Sequence, residues 1–261
     1  MFTAIVLAAQ RAGQIDPLAA AASVPNKSLV PILGVPLIAH VVQALAATPG
    51  LSRLRIVVEP ETIAPIEAAL PKLRAPVEFI AAADNLADSV YAAAADVEQP
   101  MLVTTSDNVL LTPGAVQAVL GALAVGADVA FALATRASVL AAHPDGQRRF
   151  YQFSDEAYSN CNLYAFSGPY ATAAAESFRS GGQFAKKPLR MIVALGPVNL
   201  ALLLLHRLPL RSAVARLSRR FDLRVEPVIL ADGAHAIDVD NPRTYECARS
   251  LLEQRARPAA G

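Results

Sequence analysis

Four charged side chains stand where chemistry could be built. Lys27 closes a long loop that follows the apolar run FTAIVLA and precedes a helix pattern. Asp107 comes directly after a second apolar run, MLVT, within TTSDN. Asp238 and Asp240 fall in AIDVD, just before the last helix pattern. A lone lysine in a loop beyond a buried strand can join backbone N–H groups in neutralising phosphate charge. A carboxylate there can hold Mg²⁺, which takes oxygen ligands and substrate phosphates. If AIDVD is extended, Asp238 and Asp240 share a face, and with Asp107 they form one metal site. Plainer readings exist for each: a solvated lysine, an N-cap or turn aspartate, solvated turn carboxylates. Paired carboxylates also admit glycoside hydrolysis, which leaves Lys27 idle. The loop has neither the GxxxxGK[ST] nor the GxGxxG spacing.

These residues need elements to position them. Thr3–Leu7 is continuously apolar and reads as a strand buried on both faces. After the Ala8–Lys27 loop, Pro36 opens a helix in which Leu37, Ile38, Val41, Val42 and Leu45 recur with helical period. Strands at 55–58, 77–80 and 101–104 alternate with helices at 61–70 and 84–96, the latter capped by Asp84 or Asn85. A helix from Pro113 to about Val125 and a strand at 128–134 continue the series. That alternation predicts an α/β doubly wound sheet, whose ligands sit beyond the carboxyl ends of the strands. The polar text from Ser138 to Phe153, with Asp145-Gly146 as its tight turn, predicts a hairpin at a sheet edge. YSNCNLYAF is a strand, 170–178 a short helix, 223–230 a strand and 242–255 the last helix.

With 261 residues, 54% hydrophobic and 17% charged, a mean hydropathy of +0.38 and a net charge of +1, the chain is a single ordered domain with a sizeable core. Disorder is excluded. General nucleic-acid binding is not expected, because it needs concentrated Lys and Arg. Cys161 and Cys247 suggest neither a disulfide framework nor a metal spacing, so a reducing cytoplasm is expected. No apolar stretch reaches the length of a membrane span; Met191–Leu205, at 15 residues, comes nearest.

Residues 181–220 break the alternation and predict a helical insertion of two or three helices, interrupted at Pro197 and Pro209. Arg211, Arg216, Arg219 and Arg220 near Val214 and Leu217 form a basic amphipathic pattern. Its leucines could pack over the sheet, or the 186–220 region could touch a membrane or lipid, which would put the protein at the inner membrane face. An apolar helix face is equally open to homodimerisation.

Five stretches in order carry a resemblance: LAAQRAGQ running on to KSLVPILGVPL from Lys27, then NLADSV from Asn85, TSD ending at Asp107, YSNCNL from Tyr158, and finally DVDNP from Asp238. Over residues 1–180 and 223–256 the chain resembles the nucleotidyltransferases of the glycosyltransferase-A-like fold. The nearest group is the NTP-transferase set that includes molybdenum cofactor guanylyltransferase and the sugar- and polyol-phosphate cytidylyltransferases. The resemblance implies a Rossmann-like mixed sheet and an Mg²⁺-dependent, pyrophosphate-releasing enzyme. Its substrates would be an NTP, CTP or GTP, and a phosphorylated small-molecule or lipid-linked acceptor.

Residue by residue, the resemblance implies that the loop Leu7, Ala8, Ala9, Gln10 and Gly13, with Ser89 and Ser106, binds the nucleotide. Arg11 and Lys27 would neutralise phosphate, and Asp107 and Asp240, joined by Asp238, would hold the metal. Asn160 and Asn162 lie where the acceptor binds, and Lys186 and Lys187 could hold its phosphate. Gln10 stands at the family's usual glycine, and an Ala-rich extension, DPLAAAASVPN, lengthens the loop. A glycosyltransferase of this fold usually shows DxD, where TSDN offers one carboxylate; a non-catalytic nucleotide-binding or scaffold protein is the other alternative.

Overall fold

The computed structural model describes residues 1–10, 16–178, 202, 205 and 207–257. Arg11, Gly13, Lys186 and Lys187, and the helices expected over 181–201, lie outside the described residues.

β1 (Phe2–Leu7) is central because nearly every residue in it is buried, as its unbroken apolar text demands. It pairs in parallel with β4 (Leu51–Val58) on one side and β6 (Met101–Thr105) on the other, and β4 pairs in parallel with β5 (Val77–Ala81). Beyond β6 the direction changes. β9 (Ala157–Phe166) runs antiparallel to both β6 and β7 (Val129–Thr135), and β10 (Val225–Leu230) closes that edge parallel to β7. The order is β10-β7-β9-β6-β1-β4-β5, with β8 (Tyr151–Gln152) against β9. A small hairpin, β2 (Pro31–Ile32) with β3 (Val35–Pro36), lies apart.

Alternation along β1 divides the core. Ala4 and Val6 pack in the layer with α2 (Leu37–Ala46), α5 (Pro113–Ala124) and α8 (Pro242–Ala256), whereas Ile5 faces α4 (Leu86–Ala94) and α7 (Leu210–Phe221). This is the doubly wound mixed sheet expected from the sequence. Helices start where capping chemistry directs: Asn85 accepts from Asp88 N for α4, and Thr112 caps α5 with Pro113 behind it.

Three expectations are corrected. DPLAAA is not plain loop: Asp16 accepts from Leu18 N and Ala19 N, and Pro17–Ala21 forms α1, an Asp-Pro start on a run of alanines. The hairpin expected around Asp145-Gly146 is absent, because Thr135 caps α6 (Arg136–Ala142) and only Tyr151–Gln152 forms strand. AIDVD is not a strand either. Asp240 N donates to Asp238 O at 3.0 Å, a tight turn that sends the two carboxylates to different partners. α3 (Ile63–Ala69), after a 3₁₀ turn at Pro60–Thr62, fills the expected 61–70 helix. Cys161 and Cys247 are both free. Among the described residues no helix is long and apolar enough to cross a membrane.

Candidate functional site

The loop leaving β1 is held down by two polar residues that precede and follow Lys27. Asn26 Nδ2 and Ser28 Oγ both donate to Ala8 O, at 3.0 and 3.4 Å. Asn26 Oδ1 accepts from Ser28 N and so caps the 3₁₀ turn Lys27–Leu29. Ser28 Oγ in turn lies 2.7 Å from Ser106 Oγ, and Ser106 N donates to Leu7 O. The first loop and the loop after β6 are thereby locked together, with Lys27 next to one serine and Asp107 next to the other.

Lys27 Nζ sits 2.5 Å from Asp107 Oδ2 and 3.3 Å from Asp240 Oδ1. Asp240 is delivered by the start of α8: its N–H donates to Thr244 Oγ1, and Asn241 with Thr244 forms a capping box. Val239 N donates to Asp107 O, which ties this turn to the β6 loop. Residues separated by 80 and 213 positions therefore meet at the carboxyl ends of β1 and β6.

Burial works against charge on Lys27, but Asp107 and Asp240 outweigh it and hold the ammonium above the ordinary lysine range. Burial, with Asp107 and Asp240 nearby, pushes Asp238 well above the usual carboxylate range, against the opposing pull of Lys27 and Asn162. Asp240 is raised too, by desolvation and then Asp107; 57% of its side chain is exposed, which moderates the effect.

Asp238 belongs to a polar chain running into β9. Asn162 Nδ2 donates to Asp238 Oδ2 at 2.7 Å, and Asn160 Nδ2 donates to Asn162 Oδ1 and to the Tyr164 hydroxyl. Asn162 has φ +48°, and the β7–β9 register shifts beside it between Phe131 and Leu133. A bulge of this kind re-aims side chains next to functional sites. Tyr164 keeps its proton, because burial raises it.

Five buried side-chain atoms among the described residues have no hydrogen-bond partner: Gln10 Oε1, Thr105 Oγ1, Asp107 Oδ1, Asn108 Oδ1 and Asp238 Oδ1. Buried polar groups are normally paired. All five lie on the β1 loop, the end of β6 and its loop, or the turn before α8. Their concentration marks this end of the sheet as the candidate site.

The expected three-aspartate metal set is not assembled. Among the described residues no group of three or more His, Cys, Asp or Glu side chains is arranged to hold a metal ion. The reason is local: Asp238 is turned to Asn162, and Lys27 bonds both Asp107 and Asp240. The donor chemistry still suits Mg²⁺, since Asp107 keeps an unpartnered carboxylate oxygen beside the exposed Asp240, and Mg²⁺ needs only one or two carboxylates plus substrate phosphates.

Other expected residues are placed as follows. Ala8 is pinned through its carbonyl, and Ala9 is exposed. Gln10 N donates to Glu59 Oε1 at 2.6 Å, and its amide donates to Pro25 O, so its side chain is laid across the loop. Ser89 is buried, its Oγ accepting from Ala83 N at the β5–α4 connection. Asn26, Ser28, Glu59 and Asn108 are site residues the sequence reading missed. Asn26 alone had a signal, an Asn two residues before a backbone N–H it could cap.

Residues 4–157 match the MobA-like NTP transferase domain. No curated protein matches the chain. Among solved structures, a hypothetical transferase from Thermus thermophilus is similar at 26% identity and a TM-score of 0.71, covering 93% of this chain and 98% of its own. A CMP:2-keto-3-deoxy-manno-octonic acid synthetase complexed with CTP shares the fold at 14% identity and a TM-score of 0.60, over 97% and 99% of the two chains. So does 4-diphosphocytidyl-2C-methyl-D-erythritol synthase from Anaerococcus prevotii, at 10% identity and 0.60, over 97% and 96%.

Proposed function

Because the chain belongs to the MobA-like NTP transferase family, we propose that it transfers a nucleoside monophosphate from an NTP to a phosphorylated acceptor and releases pyrophosphate. An acceptor phosphate oxygen attacks the α-phosphorus in line, a new P–O bond forms, and the bond to the pyrophosphate oxygen breaks. A phosphate monoester is already nucleophilic near neutrality, so the site needs charge stabilisation and alignment more than a strong base.

The observation that supports this reading most is the meeting of Lys27, Asp107 and Asp240 on loops that also hold the unpartnered buried polar atoms. Lys27 leaves its carboxylates for the triphosphate and neutralises charge on the transferring oxygens. Asp107 and Asp240 would hold Mg²⁺, which would supply further positive charge to stabilise the triphosphate. Gln10, Ser106 and the Ala8 backbone line the nucleotide side, Ser89 stabilises its edge, and Asn160 and Asn162 orient the acceptor. Arg11, Lys186 and Lys187, outside the described residues, are assigned from the sequence alone, Arg11 to the triphosphate and the two lysines to the acceptor phosphate.

CTP and GTP are the first nucleotides to test, because the groups the sequence resembles are guanylyl- and cytidylyltransferases. Each NTP is incubated with Mg²⁺ and a panel of sugar, polyol and lipid phosphates while pyrophosphate is measured. Release that depends on both an NTP and an acceptor supports the reading. No release across the panel, together with no NTP binding by calorimetry, overturns it.

A further inference from the structure

The charge of this chain is segregated in a way its net value of +1 conceals. Residues 177–221 contain nine Lys or Arg and no Asp or Glu, leaving 14 basic against 22 acidic residues in the rest. The described part of this stretch ends in α7, which is fixed to the protein by one side only. Leu210, Ala213 and Val214 are buried against the sheet, Asp155 accepts from Leu210 N at its start, and Asp222 caps its end in the left-handed conformation.

The opposite side of α7 carries Arg211, Arg216, Arg219 and Arg220, all exposed. Among the described residues none of the four pairs with a carboxylate. Arg219 Nε reaches only Ala215 O, and Arg220 stacks on Phe221. Arg207 is exposed at the approach to the helix, and Leu205 beside it is 64% exposed. An exposed leucine next to an unpaired arginine row fits a surface that is anionic outside and apolar beneath.

We propose that the arginine face of α7, with Arg207 and Leu205 at its approach, docks on an anionic lipid bilayer. Two observations favour lipid over nucleic acid. The basic stretch contains the apolar run Met191–Leu205, which a polyphosphate partner does not need, and its only aromatic residues are Phe178, Phe184 and Phe221, a poor set for base stacking. Attraction is local, since the remaining surface is net acidic and is repelled by the same bilayer. The proposal does not rest on the catalytic reading.

Sedimentation of the full chain with vesicles tests it. Vesicles of 70:30 phosphatidylcholine and phosphatidylglycerol should carry the protein down at low salt and release it at 0.5 M NaCl, and pure phosphatidylcholine should not. Each arginine near the surface contributes about fivefold, so replacing Arg211, Arg216, Arg219 and Arg220 by Gln should weaken partitioning on the order of a hundredfold or more. K72Q with R74Q, a distant exposed pair, should bind as the parent does. Failure of the parent to sediment at low salt, equal binding to neutral vesicles, or retention on duplex DNA without vesicle binding overturns the proposal. So does unchanged partitioning of the quadruple variant; the salt and lipid dependences are read on the parent chain and stand whether or not that variant folds.

Discussion

Lys27 Nζ and Asp107 Oδ2 are 2.5 Å apart although 80 residues separate them in the chain. Their meeting follows from the pairing of β1 and β6 and from the Ser28–Ser106 contact beneath them. Lys27 is also the cation for Asp240. K27M therefore removes the only positive group described between these carboxylates. Breaking a largely buried pair by removing one partner costs about 3 kcal/mol, and the lost phosphate contact should lower turnover about a hundredfold or more. Denaturant titration and pyrophosphate release check the two effects separately. A K27M variant with parental turnover would remove Lys27 from the chemistry.

The bulge at Asn162 allows a cleaner test of the acceptor side. Glycine accepts φ +48° more readily than asparagine, so N162G should keep the backbone while deleting the amide that donates to Asp238. A hydrogen bond of this kind is worth about 1–1.5 kcal/mol. The expected result is an acceptor KM raised about tenfold or more with little change in the KM for NTP. Equal shifts in both would place Asn162 outside the acceptor site.

Gly233 starts the turn that leads to Asp238. A Cβ there would lie 2.2 Å from Ser138 C and Val139 N, backbone atoms of α6 that cannot step aside alone. G233A should destabilise the protein by about 1–3 kcal/mol, and activity at low temperature should fall as the turn shifts. Unchanged melting and turnover would show that α6 yields freely.

His235, in the same turn, is buried between Thr112 and Asp232. Its Nδ1 faces the Asp232 carbonyl, which can only accept, and its Nε2 faces the Thr112 hydroxyl at 2.9 Å, so the neutral ring carries its proton on Nδ1. Burial lowers its pKa below 6.5, against the pull of Asp232. The unfolded chain then binds the proton more readily than the folded one. Stability from this group is full above pH 6.5 and is lost as pH falls from there through the lower folded value. H235Q should flatten stability between pH 7 and 5. A parental slope in H235Q would assign the dependence elsewhere.

Much of this site could be read from the chain because parallel strands announce themselves as unbroken apolar runs, and polar residues beyond them fall at one sheet end. Lys27, Asp107 and Asp240 were located that way, and the structure brings them together. What alternation could not foresee was the turn at Asp238–Asp240, since the side chains there answer to Asn162 and Lys27 and not to a neighbouring strand. Glu59 was invisible for a similar reason: one carboxylate after a strand resembles any other until Gln10 N is found against it. The α6 error came from weighing Asp145-Gly146 above the Thr135 cap, a local signal of equal strength earlier in the chain.

The most direct test compares the parent chain with D107N in pyrophosphate release from NTP, Mg²⁺ and a phosphorylated acceptor. Asp107 is nearly isosteric with Asn, so the fold should persist while the carboxylate that meets Lys27 and suits Mg²⁺ is lost. The expected result is acceptor-dependent release by the parent and a loss of about a thousandfold in D107N. Equal rates in the two proteins would contradict a nucleotidyl transfer centred on Asp107.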